Sequence, residues 1–160
     1  MNDERTRGPN VKNEFLRIVK RSPLIAALLV IGATGSAFAQ NKTIGFKPGA
    51  VLSQGRVVGN MLFVAGLKGS PTTGKLGDLD ISAQAALALD AIKKVVEEAG
   101  FKMTDIVSVN VYLVDINDID KMNEVYKKVM PDPKPTRVTV EVGHIRSGGR
   151  IEISCVAIKQ

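Results

Sequence analysis

Two charged side chains stand inside otherwise apolar, strand-like segments near the end of the chain. Arg137 opens the alternating segment "RVTVEV", and Glu152 lies between two isoleucines in "RIEISCVAI". A guanidinium is a planar, two-pronged donor that suits a carboxylate, and a glutamate can take a proton from water. The pattern alone favours a plainer interpretation, in which the valines are buried and both charges face solvent. The chemical alternative requires the two charges to face a shared cleft.

The distance between these two charges depends on how the last two strands pair. If they form a hairpin that turns near Gly148, Arg137 and Glu152 lie about 20 Å apart at ~3.3 Å per residue. One small molecule cannot reach both groups over that distance. Under this pairing, a shared site needs the two residues from different subunits, and the inference lapses if the strands are not neighbours.

Other catalytic chemistries find little support in the sequence. His144 is the only histidine and Cys155 the only cysteine, and no cluster has metal-ligand spacing. There is no nucleophile elbow and no phosphate-cradling loop. The position of Cys155 within "IEISCVAI" predicts a buried core thiol, and a single cysteine excludes an intrachain disulfide.

The elements that must position these residues alternate between strands and helices. A helix is predicted from about Ile81 to Ala99, capped by Asp80 and ended by Gly100. A second helix is predicted over 118–130, with Asn117 as its cap. The remaining segments are strand-like: "VLSQGRVVG", "MLFVAG", "DIVSVNVYLVD", "RVTVEV" and "RIEISCVAI". The order β-β-α-β-α-β-β predicts an α+β fold, with a single sheet covered by two helices.

The first 39 residues resemble a secretory leader rather than part of the fold. A basic segment precedes the apolar run "PLIAALLVIGA", and small residues follow at Ala37 and Ala39. This pattern predicts a signal peptide over residues 1–39, cleavage after Ala39, and a periplasmic or secreted domain over 40–160. An uncleaved N-terminal anchor is the alternative. After cleavage we expect no membrane association.

The charge of the chain gives no support to nucleic-acid binding. The leader holds six basic and three acidic residues, so its removal lowers the net charge from +6 to +3. The chain has five Phe, two Tyr and no Trp, and it has no long basic run. A small-molecule ligand is therefore favoured over a nucleic acid.

Four segments together resemble the RidA/YjgF family over about Ala50 to Ile158. The resemblance implies a chorismate-mutase-like fold and a homotrimer with ligand clefts between subunits. It also implies hydrolysis of reactive 2-imino acids, the tautomers of enamines, to 2-keto acids and ammonia, without a metal or organic cofactor. The segments are "VLSQGRVVGNMLFVAGLKGSPTTGKL", "AALALDAIKKVVEEAGFKMTDIVSVNVYLVDINDIDKMNEVY", "KPTRVTVEV" and "RIEISCVAI".

The same resemblance assigns roles to individual residues. Arg137 matches the arginine that pairs with the substrate carboxylate, and Glu152 matches the acid that positions and activates water. Three further residues match positions that line the cleft: Asn123, Thr139 through its backbone groups, and Gly66 at the end of the second predicted strand.

Three positions at or near the implied cleft depart from the family pattern. Leu52 replaces the usual tyrosine, Ala65 a serine and Leu67 a glutamine. These changes predict a more apolar substrate, or one held differently at Leu52 and its neighbours. They also favour an alternative function as a trimeric, non-catalytic module that binds small carboxylates or shields unfolded proteins. Ribonuclease activity, also assigned within the family, fits the modest charge poorly.

Overall fold

The computed structural model describes residues 41–160, so the predicted leader lies outside the described residues. This part of the chain forms one mixed sheet with two α-helices on one face, as the sequence predicts. None of its helices is long and apolar enough to cross a membrane. The elements are β1 (Lys42–Ile44), β2 (Gly55–Val58), β3 (Met61–Leu67), α1 (Ile81–Glu98), β4 (Ile106–Leu113), α2 (Ile119–Val129), β5 (Thr136–Glu141) and β6 (Ile151–Ile158).

The structure adds one strand to the predicted element order and fixes how the last two strands pair. The sheet runs β1-β2-β3-β6-β4-β5, so a short N-terminal strand precedes the predicted β-β-α-β-α-β-β series. The condition that the last two strands form a hairpin is not met, because β4 lies between β5 and β6, so the distance inferred from it lapses. β5 pairs with β4 in parallel, and α2 makes the crossover that a parallel pair requires.

The two helices begin where short polar side chains lie, but only one predicted cap is correct. Oδ1 of Asp80 accepts a hydrogen bond from the Ala83 N–H at 2.8 Å, which satisfies a free donor at the start of α1. Asn117 does not cap α2, which starts after Asp118 without a side-chain cap. Asn117 belongs instead to a preceding 3-10 turn, where its N–H donates to Asp115.

The core lies between the helices and one face of the sheet. On β6, alternate residues from Ile151 to Ala157 are buried. Cys155 is among them, as predicted, and its exposed fraction is 2%. Burial raises the pKa of its thiol to about 12, so this thiol stays protonated and unreactive near neutral pH.

A buried glutamine holds the segment that leads into β6. The side-chain amide of Gln84 donates to Leu76 O at 2.8 Å and to Leu79 O at 3.1 Å. Its Oε1 accepts from the Arg150 N–H at 2.7 Å. Gln84 is fully buried, so each of these bonds replaces a contact with water. The side chain therefore fixes the start of β6 two residues before Glu152.

Replacing Gln84 by methionine should destabilise the fold strongly. Methionine keeps the volume but leaves the Arg150 N–H without its acceptor, and it removes the amide donor from Leu79 O and Leu76 O. Leu76 O keeps only its backbone bond from the Leu79 N–H. We expect the free energy of unfolding to fall by about 3 kcal/mol. Urea denaturation measures this, with Gln160→Met at the exposed C-terminus as the control. Equal stability of both variants would show that the network is not structurally important.

Candidate active site

Glu152 projects from the face of the sheet that the helices leave open. Its lateral neighbour on β4 is Tyr112, which is also on the uncovered face, whereas Ile151 and Ile153 on either side are buried. Glu152 itself is half-buried. Within residues 41–160 it has no ion-pair partner. Among the described residues, Glu152 is therefore a partly desolvated carboxylate without an ion-paired cation.

Gly66 provides the space that this carboxylate occupies. A Cβ atom at Gly66 would collide with Oε1 of Glu152 and lie 2.8 Å from its Cδ. The pairing of β3 with β6 shifts register between Val64 and Leu67, and this bulge brings the backbone of Gly66 close to the glutamate. The family resemblance assigns Gly66 to the cleft and Glu152 to water activation, and this contact brings the two residues together.

An open cleft of about 340 Å³ lies beside this pair. β2 pairs with β3 only as far as Val64, which leaves the end of β3 uncovered. The cleft continues from there to one side of α1. Its lining includes Gln54, Gly66, Leu67, Lys68, Val95, Glu98 and Glu152.

Arg137 lies on the other face of the sheet, toward the helices. Its lateral neighbour is Val109, a buried residue of the helix-facing side. Its Cζ lies 4.6 Å from the centre of the Tyr126 ring on α2. Arg137 is half-buried, and it forms no ion pair within residues 41–160. The expectation that Arg137 faces solvent opposite a buried valine face is wrong, because Val138 and Val140 are the exposed residues.

The other predicted site residues divide between these two places. Thr139 lies on the same face of β5 as Arg137, and its hydroxyl is buried without a hydrogen-bond partner in the described part of the chain. Asn123 precedes Tyr126 by three residues on α2, so the two share one side of that helix. Leu52 is 59% exposed, two residues before Gln54 of the cleft.

One chain therefore carries two separate half-sites. The glutamate half-site contains Glu152, Gly66 and the cleft, and the arginine half-site contains Arg137, Tyr126, Thr139 and the nearby Asn123. The β4 neighbours of the two charges, Val109 and Tyr112, are three residues apart. With two strand spacings between β5 and β6, the backbones at Arg137 and Glu152 are about 14 Å apart. They also face opposite sides of the sheet, so one small ligand cannot contact both within a chain.

Two residues of these half-sites were not predicted from the sequence. Tyr126 fits the inward stripe of α2 and carries no separate signal of a role beside Arg137. Lys68 follows β3, lines the cleft, and donates from Nζ to Arg146 O at 2.8 Å. Its position in the loop "LKGSPTTGKLGD" would have suggested only a solvated charge.

Within residues 41–160, no group of three His, Cys, Asp or Glu side chains is arranged to hold a metal.

Replacing Gly66 by alanine should displace the Glu152 carboxylate. The backbone angles of Gly66 are open to alanine, so the expected effect comes from the collision with Glu152 alone. We expect turnover in the 2-imino acid hydrolysis that the family resemblance implies to fall about 100-fold, since a shift of about 1 Å is sufficient to misalign a reacting group. The matched control is Gly143→Ala, because nothing lies within 4 Å of a Cβ at Gly143. Unchanged turnover in Gly66→Ala would contradict the role of this contact.

Comparisons with known proteins agree with the fold and extend over almost all the described residues. A family model described as endoribonuclease L-PSP matches residues 45–159. A RutC family protein of Pyrococcus abyssi is 43% identical over 115 residues, which are 71% of this chain and 91% of that one. Escherichia coli TdcF, which carries the provisional name reactive intermediate deaminase, is 34% identical over 70% of this chain and 91% of its own.

Solved structures show the same architecture. The YjgF gene product of E. coli has a TM-score of 0.66 at 35% identity, covering 74% of this chain and 99% of that one. A crystal structure of E. coli TdcF with bound serine has a TM-score of 0.65 at 31% identity, covering 74% and 94%. The single mixed sheet with two helices is thus the chorismate-mutase-like fold of these proteins. The chain belongs to the RidA/YjgF family.

Proposed function

We propose that this protein hydrolyses reactive 2-imino acids to 2-keto acids and ammonia, at sites formed between subunits. The observation that carries the proposal is a pair of opposite charges, Arg137 and Glu152. Each is half-buried and neither has an ion-pair partner within residues 41–160. Partly desolvated, uncompensated charges are costly, and such groups concentrate at functional sites.

The two charges suit the two ends of a 2-imino acid. The Arg137 guanidinium binds the carboxylate through two parallel hydrogen bonds and fixes the orientation of the neighbouring iminium carbon. Glu152 accepts a proton from a water molecule as its oxygen adds to that carbon. Glu152 returns this proton to the nitrogen of the resulting carbinolamine and takes the hydroxyl proton as the carbon–nitrogen bond breaks. The departing ammonia picks up that second proton, so iminium and water give a keto acid and ammonium. Because the iminium carbon is already electrophilic, orientation and one base are sufficient.

A homotrimer would bring the two half-sites together. In one chain they are on opposite faces of the sheet, so the arginine half-site of one subunit must meet the glutamate half-site of its neighbour. Exposed apolar side chains on the open face support such an assembly: Phe63 is 45% exposed, Val138 57% and Val140 41%. An apolar surface of this kind is commonly covered by a partner.

The part of the cleft beside Leu67 favours apolar substrate side chains. Leu67 lines it, and Ala65 lies in the adjoining bulge. Neither side chain can donate a hydrogen bond, so a polar substrate group there would lose its contacts with water without replacement. We therefore propose branched or aromatic imino acids as better substrates than the smallest ones.

We propose from the leader predicted for residues 1–39 that this reaction takes place outside the cytosol, in the periplasm or the medium. The substrate would then be an imino acid formed or released there. Fractionation of cells that express the full-length chain, with sequencing of the mature N-terminus, tests this part. Recovery of the intact chain in the cytosolic fraction would contradict it.

A binding role without turnover is the second candidate. The loss of polar groups at Ala65 and Leu67 favours it, and the serine bound to TdcF shows that a family member can hold a small amino acid. Measuring ammonia release from an imino acid generated in situ by an amino acid oxidase separates the two functions. Ammonia release faster than the spontaneous rate supports hydrolysis. Calorimetric binding of a keto acid without any acceleration would support the binding role instead.

A further inference from the structure

We propose that Tyr126 is the positioning residue for the carboxylate-binding guanidinium. This inference depends on the proposed function, because it assigns a mechanical role within the arginine half-site. The Tyr126 side chain holds Arg137 by the face of its ring, so that the donors of the guanidinium remain free for an anionic ligand.

The geometry fits a cation held over an aromatic face. The distance of 4.6 Å between Arg137 Cζ and the ring centre is within the range of a cation–π contact. Tyr126 is 5% exposed and is fixed among the buried residues of α2, so its ring is a rigid support. Arg137, by contrast, lies on an edge strand and is only half-buried.

An aromatic ring holds an arginine side chain in a different way than an acidic partner does. An acidic partner would neutralise the charge and occupy the N–H donors, and a ligand carboxylate would then have to displace it. No carboxylate of residues 41–160 is within ion-pair distance of Arg137. The quadrupole of an aromatic face attracts the cation without accepting its in-plane hydrogen bonds. The ring therefore restricts the side chain while leaving its fork unoccupied.

The ring, and not the hydroxyl, carries this role. The Tyr126 hydroxyl is buried and has no hydrogen-bond partner in the described residues. Burial raises the pKa of the phenol, and the opposing effect of Arg137 does not reverse that direction. The ring thus faces Arg137 as a neutral phenol and not as a phenolate ion pair. Phenylalanine should be able to replace it.

Three variants test the inference in the full-length protein. Tyr126→Leu removes the ring and keeps an apolar side chain, and KM should rise roughly tenfold with kcat changed less than threefold. Tyr126→Phe should keep KM within about twofold of the wild type. Phe101→Leu is the matched control, because Phe101 is 4% exposed and supports Lys159 at 4.5 Å. Loss of the Phe101 ring should leave KM unchanged.

A double-mutant cycle distinguishes positioning from general packing. If Tyr126 acts through Arg137, Tyr126→Leu should have no further effect on the dissociation constant of a keto acid product once Arg137→Ala is present. Additive effects of the two substitutions would overturn the inference. A tenfold rise in KM in Tyr126→Phe or in Phe101→Leu would also overturn the inference. If Arg137→Ala itself leaves product binding unchanged, the proposed function fails, whereas an effect of Arg137→Ala without one of Tyr126→Leu refutes the positioning role alone.

Discussion

Arg137→Ala should reduce kcat/KM for imino acid hydrolysis by about 100-fold, mainly through a higher KM. The substitution removes both hydrogen bonds to the substrate carboxylate and leaves that charge unpaired in a partly desolvated site. Losing one partner of such a pair costs about 2–5 kcal/mol. The measurement is steady-state ammonia release over a range of imino acid concentrations, with size-exclusion chromatography to confirm that the assembly is intact.

Two further arginine variants define the reason for this loss. Arg137→Lys keeps the charge but not the planar fork, so it should recover only a minor part of the activity. Arg56→Ala removes an exposed arginine from β2, beside Phe63 on the open face, and should leave kcat/KM unchanged in preparations whose assembly is intact. Full activity in Arg137→Ala, with the oligomer preserved, would eliminate the proposed mechanism.

Glu152→Gln should lower kcat by about 100- to 1,000-fold with little change in KM. Glutamine keeps the shape of the side chain over Gly66 but cannot accept a proton from water. A positioned general base contributes about 10²- to 10⁴-fold to such reactions. Because the Glu152 side chain does not bind the carboxylate of the substrate, the dissociation constant of a keto acid product should stay nearly the same. Single-turnover and steady-state kinetics measure the two effects separately.

The control for Glu152 is a carboxylate in the same cleft. Glu98 is exposed at the end of α1 and lines the cleft beside Lys94. Glu98→Gln removes one negative charge from the cleft without changing the proposed base, so kcat should be close to the wild-type value. An equal loss of kcat in Glu98→Gln and Glu152→Gln would show that the negative charge of the cleft, and not proton transfer by Glu152, is the cause.

The sequence predicted those parts of the fold that depend on local signals. Asp80 and Gly100 mark the ends of a strongly periodic segment, and α1 begins and ends beside them. β1 was missed because a three-residue strand with one buried side chain has no period to detect. The pairing of β5 could not be predicted, because alternation gives the two faces of a strand but not its neighbours, and the parallel partner is reached through α2.

The candidate site was predicted only in part, for a related reason. The types of Arg137 and Glu152, and their positions in two strands, could be interpreted directly from the sequence. The face of Glu152 also followed from the pattern, because the flanking Ile151 and Ile153 are buried. The face of Arg137 did not, since Val138 and Val140 suggest a buried side that the fold leaves exposed. The contact of Arg137 with Tyr126 joins an edge strand to a helix, and no local pattern encodes it.

The most direct test of a site shared between subunits is complementation of two inactive variants. Arg137→Ala and Glu152→Gln chains, co-expressed in equal amounts, should form mixed assemblies in which some interfaces combine an intact arginine with an intact glutamate. Random mixing in a closed ring gives about one quarter of the interfaces this pairing. We predict recovery of about a quarter of the wild-type ammonia release. No recovery, with mixed assemblies demonstrated by mass spectrometry, would contradict a site built from Arg137 and Glu152 of neighbouring chains.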